Sequence, residues 1–260
     1  MTLISNAIHL EPQLRDSFIV CCADTRLTFR DITNPKEKYI KGRKLFKIEY
    51  LNGSVSFWGA TALFENSKQK SLSEWLPVFI KKSSHHTTLR AFAEELRYEL
   101  NKKMHKPFLG KEASGFHLCR IRPDGVPEFM HFSNCGLDQQ TGNYGNITDS
   151  FRGIGEDFLG RDISHFKWDG SVDNYPPIRG IQLYRNGSIK VHSLAWDKLD
   201  EVFATLFRFP DFKYPYSYKD EDVIKFTKQK LNFISSIYNN WAKTKIVGAP
   251  WDIIILRFKQ

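Results

Sequence analysis

The chain is poor in the features that mark most well-defined functional classes. No apolar run approaches the ~20 residues of a membrane-spanning helix. The start lacks the basic-then-apolar order of a signal peptide, so a cytoplasmic protein with no membrane association is expected. The four cysteines, Cys21, Cys22, Cys119 and Cys135, show no CxxC spacing. Adjacent Cys21 and Cys22 in a strand point to opposite faces, which suits buried thiols in a reducing compartment better than a bridge or a metal site. No P-loop or dinucleotide fingerprint is present. No internal repeat or low-complexity tract appears.

Histidine offers little more. His9, His117, His131 and His192 are isolated in strand-like runs. His85 and His86 are adjacent, and a strand or helix would not aim both at one ion. Glu94 with Glu95, and Glu156 with Asp157, read as solvated carboxylates. Neither a metal nor a cofactor is expected. The formal charge is +9, from 38 Lys+Arg against 29 Asp+Glu. The basic residues are scattered, with short clusters at 36–47 and 102–111, and no nucleic-acid motif accompanies them. Nucleic acid is therefore an unlikely partner.

What is present is a regular alternation of strand and helix signals. Residues 2–10 and 17–24 read as two strands, followed by a long polar and basic connection over 25–42. KLFKIEY and VSFWGA flank the turn Leu51-Asn52-Gly53. A helix over 71–81 places Leu72, Trp75, Leu76 and Phe79 together, and a second over 88–104 follows the cap residues Thr87 and Thr88. GFHLCRI and PEFMHF flank Pro123-Asp124-Gly125. IRGIQLY and SIKVHSL flank Arg185-Asn186-Gly187, a hairpin signal. Helices are expected over 196–207 and from Asp220, the latter with Phe226, Phe233, Ile234, Ile237 and Trp241 inward. WDIIILRF closes the chain as a continuous apolar run, the pattern of a buried strand. Two sheets with helices outside them follow from this order.

One constellation carries chemistry. Thr2 opens the first strand. Removal of Met1, expected before a small residue, gives Thr2 both a hydroxyl and a free α-amine. That amine has a pKa near ~8, so it can take the hydroxyl proton itself. A nearby lysine would favour the unprotonated amine, and such a lysine needs an acid to hold it. Asp24, at a strand end, and Lys44, before the next strand, are candidates for that pair. Lys47 is the alternative lysine. Each also has an ordinary reading: Asp24 as a turn cap, Lys44 as one member of a solvated basic face with Lys41, Arg43 and Lys47.

Thr2, then ADTRLT, GRKLFKI and SFWGATAL, and finally IVGAPWDIIIL, resemble the motifs of proteasome β subunits and their bacterial relatives, nearest the ancestral-β-subunit group. GFHLCRIRPDGVPEFMHFSNCG also resembles the proteasomal hairpin that follows the helices. The specific motifs lie in residues 2–63 and 246–256. The resemblance implies an α+β fold, the four-layer αββα sandwich of the N-terminal nucleophile hydrolases. It spans 1–260 as one domain, with divergent insertions near 29–43, 137–177 and 208–220.

It further implies Thr2 as nucleophile and base, supported by Asp24 and Lys44. Arg26 matches the structural arginine of the acid's motif. Thr28 matches the residue whose backbone pairs with an extended substrate. Gly59 matches the glycine whose N–H stabilises the oxyanion. Leu27, Phe46 and Phe57 would border an apolar specificity pocket. The implied activity is a threonine peptidase or amidohydrolase acting on a polypeptide or amide substrate, with a catalytically inactive scaffold or a basic binding module on the same fold as alternatives. A homo-oligomeric ring or stacked assembly is implied, with an ATP-dependent unfoldase as a candidate partner. The apolar helical stripes and the aromatic run 209–218 are expected to serve that assembly. The chain departs from the family after Gly136, where no Gly-Ser-Gly segment follows. Ser150 is the nearest candidate for its serine.

Overall fold

A computed structural model describes residues 3–11, 13–29, 38–65, 68–137, 144–156, 180–187, 196–206, 209, 211, 219–241 and 248–259. Six strands come first: β1 (Leu3–Leu10), β2 (Phe18–Asp24), β3 (Arg26–Phe29), β4 (Lys38–Lys41), β5 (Leu45–Ile48) and β6 (Gly53–Trp58). A short hairpin, β7 (Ala62–Glu65) and β8 (Lys68–Ser71), leads into helices α1 (Leu72–Lys82) and α2 (Leu89–Lys103), then the one-turn α3 (Lys106–Leu109). Next come β9 (Gly115–Ile121), β10 (Pro127–Ser133), β11 (Gly136–Leu137), β12 (Tyr144–Gly145), β13 (Gly155–Glu156) and β14 (Gly180–Gly187). Helices α4 (Asp197–Leu206) and α5 (Asp220–Trp241) precede the last strand, β15 (Trp251–Arg257).

The fold is mixed α and β, with antiparallel sheets. One sheet has the order β14-β1-β2-β15 and another β13-β10-β9-β6-β5. Strand β2 explains its own sequence. Its seven residues FIVCCAD are buried on both faces, so no polar alternation is tolerated before the final acid. Ile19, Cys21 and Ala23 join Ile4 and Ile8 in a cluster with Leu45, Trp58, Cys119 and Phe129 of the five-stranded sheet. Cys22 faces the other way, packing with Leu3, Trp196 and α5 residues Leu231 and Ile234. The two adjacent cysteines thus point to opposite faces, and all four thiols are free and buried. Burial pushes the Cys22 thiol up to about 12 and raises Cys119 and Cys135 as well.

The second sheet is covered on its other face by α1 and α2. Ser71 caps α1 by accepting the Ser73 N–H, and Glu74 reaches back to the Ser71 N–H. Thr88 caps α2 by accepting the Ala91 N–H. The apolar stripes Leu72, Trp75, Leu76, Phe79 and Leu89, Phe92, Leu96, Leu100 are buried against Phe46, Val55, Phe57, Phe116 and Phe132. Those stripes, expected to serve an assembly, are consumed by the chain's own core.

Several expectations are corrected. The connection 25–42 contains a two-stranded ribbon, with Arg26 opposite Lys41 and Thr28 opposite Tyr39. Arg185, Asn186 and Gly187 do not form a turn. They continue β14 and pair with Ser5, Ile4 and Leu3, because β1 offers a long edge that holds the strand extended through the expected turn. Among the described strands WDIIILR lies at the edge of its sheet, bonded to β2, and of its residues only Leu256 is fully buried. In α5, Phe233 lies on the flank of the buried stripe and is 54% exposed. Trp241 is the last residue of α5, beyond the buried part of the stripe, and is 76% exposed. The expected strand SIKVHSL with His192, most of the insertions at 137–177 and 208–220, and Thr2 lie outside the described residues. No helix among the described residues is long and apolar enough to cross a membrane.

Candidate active site

The site begins where two strand ends meet. In the β1–β2 pairing Ile4 lies opposite Ala23, which brings the start of β1 beside Asp24 at the end of β2. Asp24 is the first polar side chain after the apolar run of β2, and it is fully buried. Its Oδ1 accepts the Leu3 N–H at 2.9 Å. The same oxygen accepts a hydrogen bond from Lys44 Nζ at 2.9 Å.

Lys44 immediately precedes β5, so it reaches from the five-stranded sheet into the four-stranded one. Its backbone is held in the ladder by the Phe57 N–H donating to the Lys44 carbonyl at 3.2 Å. Both side chains of the pair have 0% exposure. Burial pushes the Asp24 carboxyl above its ordinary value, while the Lys44 ammonium and the Leu3 N–H pull against that rise.

The pairing separates the two candidate lysines. Lys47 is 39% exposed and makes a 2.9 Å surface pair with Glu49. Lys44 is no member of a solvated basic face. Removing its side chain would strand a buried carboxylate.

Gly59 follows β6 with φ +82°, a conformation L side chains rarely adopt. A Cβ there would lie 2.1 Å from the Ala113 carbonyl oxygen and 2.6 Å from Ser114 Oγ. In the β5–β6 register Leu45 faces Ser56. Gly59 therefore stands two residues beyond Phe57, the partner of Lys44, or about 7 Å along the strand. Ser114 Oγ accepts the Ala60 N–H at 2.7 Å and donates to the Glu112 carbonyl, and the Ser114 N–H donates to Asn134 Oδ1 at 2.7 Å. Buried Asn134 in turn donates to the Leu109 and Thr148 carbonyls. This bracket fixes the turn that carries Gly59.

Phe46 and Phe57 are buried in the cluster beneath α1 and α2, and Phe57 packs on Phe116 with ring centres 6.0 Å apart. The Phe46 ring also lies under the Arg43 guanidinium, 5.9 Å from the ring centre. Leu27, Thr28 and Arg26 contribute described backbone in β3, with side chains outside the described set. Ser150 lies by Thr148, whose Oγ1 donates to its carbonyl, next to buried Phe151 on the helix side of the sheet.

Two further residues adjoin the site. Thr25 Oγ1 donates to the Pro250 carbonyl at 2.9 Å, tying the end of β2 to the segment before β15. Asp252 lies opposite Ala23, with its carboxylate 3.7 Å from the Arg43 guanidinium. Burial raises the Asp252 carboxyl; Arg43 and Lys41 oppose the rise, and Asp24 adds to it. The motif IVGAPWD was the signal that could have placed Asp252 here. Ser114 and Asn134 carry no local motif and become visible only through the packing of distant turns.

No family model matches the chain, and no curated protein matches it.

Proposed function

We propose that the chain is a threonine-type N-terminal nucleophile hydrolase of the proteasome kind, acting on a peptide or amide carbonyl. The observation that carries the reading is the fully buried Lys44–Asp24 pair, whose acid also holds the N–H of Leu3, the residue after Thr2. A buried lysine held by an acid beside the start of a strand is what an amine-activated threonine requires. Cleavage between Met1 and Thr2 would expose the α-amine. The Thr2 hydroxyl would attack the carbonyl while its proton passes to that amine, which then returns it to the leaving amine. Gly59, fixed by the Ser114 bracket, is the proposed oxyanion donor. Among the described strands β3 pairs only with β4, which supports its other edge as the place where an extended substrate adds.

The packing of α1 and α2 on one sheet, the cluster joining both sheets, and α5 on the other sheet support the αββα layering of that fold class. Assembly into a homo-oligomer belongs to the same reading, and Val78 and Tyr98, exposed on the outer sides of α1 and α2, support it. A non-catalytic scaffold on the same fold is the second reading. The burial of Phe46 and Phe57 in the core favours it, because both rings were candidates for the specificity pocket. Hydrolysis of short fluorogenic peptides separates the two. The hydrolase reading expects turnover that is lost in Thr2→Ala, with folding unchanged. Absence of turnover across a broad peptide panel supports the scaffold.

A further inference from the structure

The corner between α1 and α2 holds a cluster that the hydrolase reading does not use. Helix α1 ends at Lys82, and His85 and His86 fall in the turn before Thr88 caps α2. A turn is free of the constraint that makes adjacent residues on a strand or helix diverge, so both rings can face one ion. Their ring centres are 4.1 Å apart. His86 Nε2 lies 2.7 Å from Glu95 Oε2, which comes from the second turn of α2. One ligand atom from each of His85, His86 and Glu95 falls within 4.8 Å of the others.

We propose that His85, His86 and Glu95 form a zinc-binding site that ties the end of α1 to α2. Two imidazoles and one carboxylate are the donor set of three-ligand zinc sites that keep a fourth position for water. Zinc–ligand bonds near 2.0–2.1 Å place tetrahedral ligand atoms about 3.3 Å apart. The His86–Glu95 contact would open by roughly half an ångström, and exposed His85 would close in by rotating its side chain. The surrounding contacts have the form of an outer shell. His85 Nδ1 faces the Lys82 carbonyl at 3.4 Å, which favours a proton on Nδ1 and leaves Nε2 to ligate. Ser83 Oγ donates to Glu95 Oε2 at 2.8 Å and orients the carboxylate. An ordinary surface ion pair accounts for His86 and Glu95 but not for the approach of the His85 ring to within 4.1 Å of the His86 ring.

The inference is independent of the hydrolase reading. Its test is zinc titration of the full-length protein, by calorimetry or against a chromophoric chelator, with circular dichroism to verify the fold of each variant. One zinc ion per chain is expected, with a raised thermal midpoint. His85→Ala, His86→Ala and Glu95→Gln should each abolish stoichiometric binding, and Ser83→Ala should weaken it about tenfold or more. Magnesium should not compete. Absence of saturable zinc binding by the unaltered protein, or full retention of binding in any one of the three ligand variants, overturns the proposal.

Discussion

Replacing Lys44 by Met tests how the buried pair is held. In the unaltered protein Asp24 Oδ1 faces the ammonium at 2.9 Å with neither side chain exposed. Methionine keeps much of the volume and removes the charge. Asp24 then has two options: remain an unpaired buried anion, or take up a proton. Breaking a buried pair from one side costs about 3–5 kcal/mol. Protonating a carboxyl of ordinary pKa near 3.9 at pH 7 costs about 4 kcal/mol, at about 1.4 kcal/mol per pH unit. The second route limits the penalty to roughly that value and makes it depend on pH. Lys44→Met should cost about 4 kcal/mol at pH 7 and less at pH 5, where the stranded carboxyl takes up its proton more cheaply. Urea unfolding of both proteins at each pH measures this difference. The double variant Lys44→Met with Asp24→Asn removes the stranded charge while keeping an acceptor for the Leu3 N–H, and should recover most of the loss. A penalty below about 1 kcal/mol that does not change with pH would refute the reasoning.

Three other outcomes follow from particular contacts. His9, buried and stacked on Phe18 at 4.4 Å, has its pKa lowered to about 3 by burial and by the charges of Lys230 and Arg257. A depressed folded pKa contributes stability that is present above the unfolded value of 6.5 and is lost as pH falls toward 3. His9 should therefore cost about 2 kcal/mol between pH 7.5 and pH 5, and His9→Phe should remove that part of the slope in unfolding experiments. Gly59→Ala should destabilise by at least ~2 kcal/mol, read as a lowered thermal midpoint, because φ is +82° and the new Cβ meets the Ala113 carbonyl oxygen. If the outer sides of α1 and α2 mediate assembly, Val78→Lys with Tyr98→Lys should reduce the mass seen by light scattering without changing the thermal midpoint by more than a few degrees.

The legible part of the fold is the part built from local periodicity. The stripe Leu89, Phe92, Ala93, Leu96, Leu100 and the Thr88 cap mark α2 to within a residue, because an amphipathic helix writes its buried face at fixed spacing. The buried pair was legible for another reason. An acid closing an apolar strand and a lysine opening the next are conspicuous where neither belongs in a core. The turn expected at Arg185-Asn186-Gly187 failed because a long neighbouring edge, β1, outweighed local turn preference. The ribbon within 25–42 escaped notice because its strands, RLTF and KYIK, are four residues each, too short to write a clear period of two among the basic residues around them. Phe46, Val55 and Phe57 share the α1–α2 side of the sheet, as cross-strand pairing and a strand period of two require. Ser114 and Asn134 act through turns about twenty residues apart in sequence, a relation no local pattern encodes.

The account rests most heavily on Thr2 as the reactive group. Native protein treated with a β-lactone or epoxyketone probe, followed by intact-mass measurement and peptide mapping, addresses it directly. The account predicts a chain lacking Met1 that carries one adduct, located on Thr2 and absent from Thr2→Ala. A native, folded protein that retains Met1, or an adduct that persists in Thr2→Ala, would contradict it.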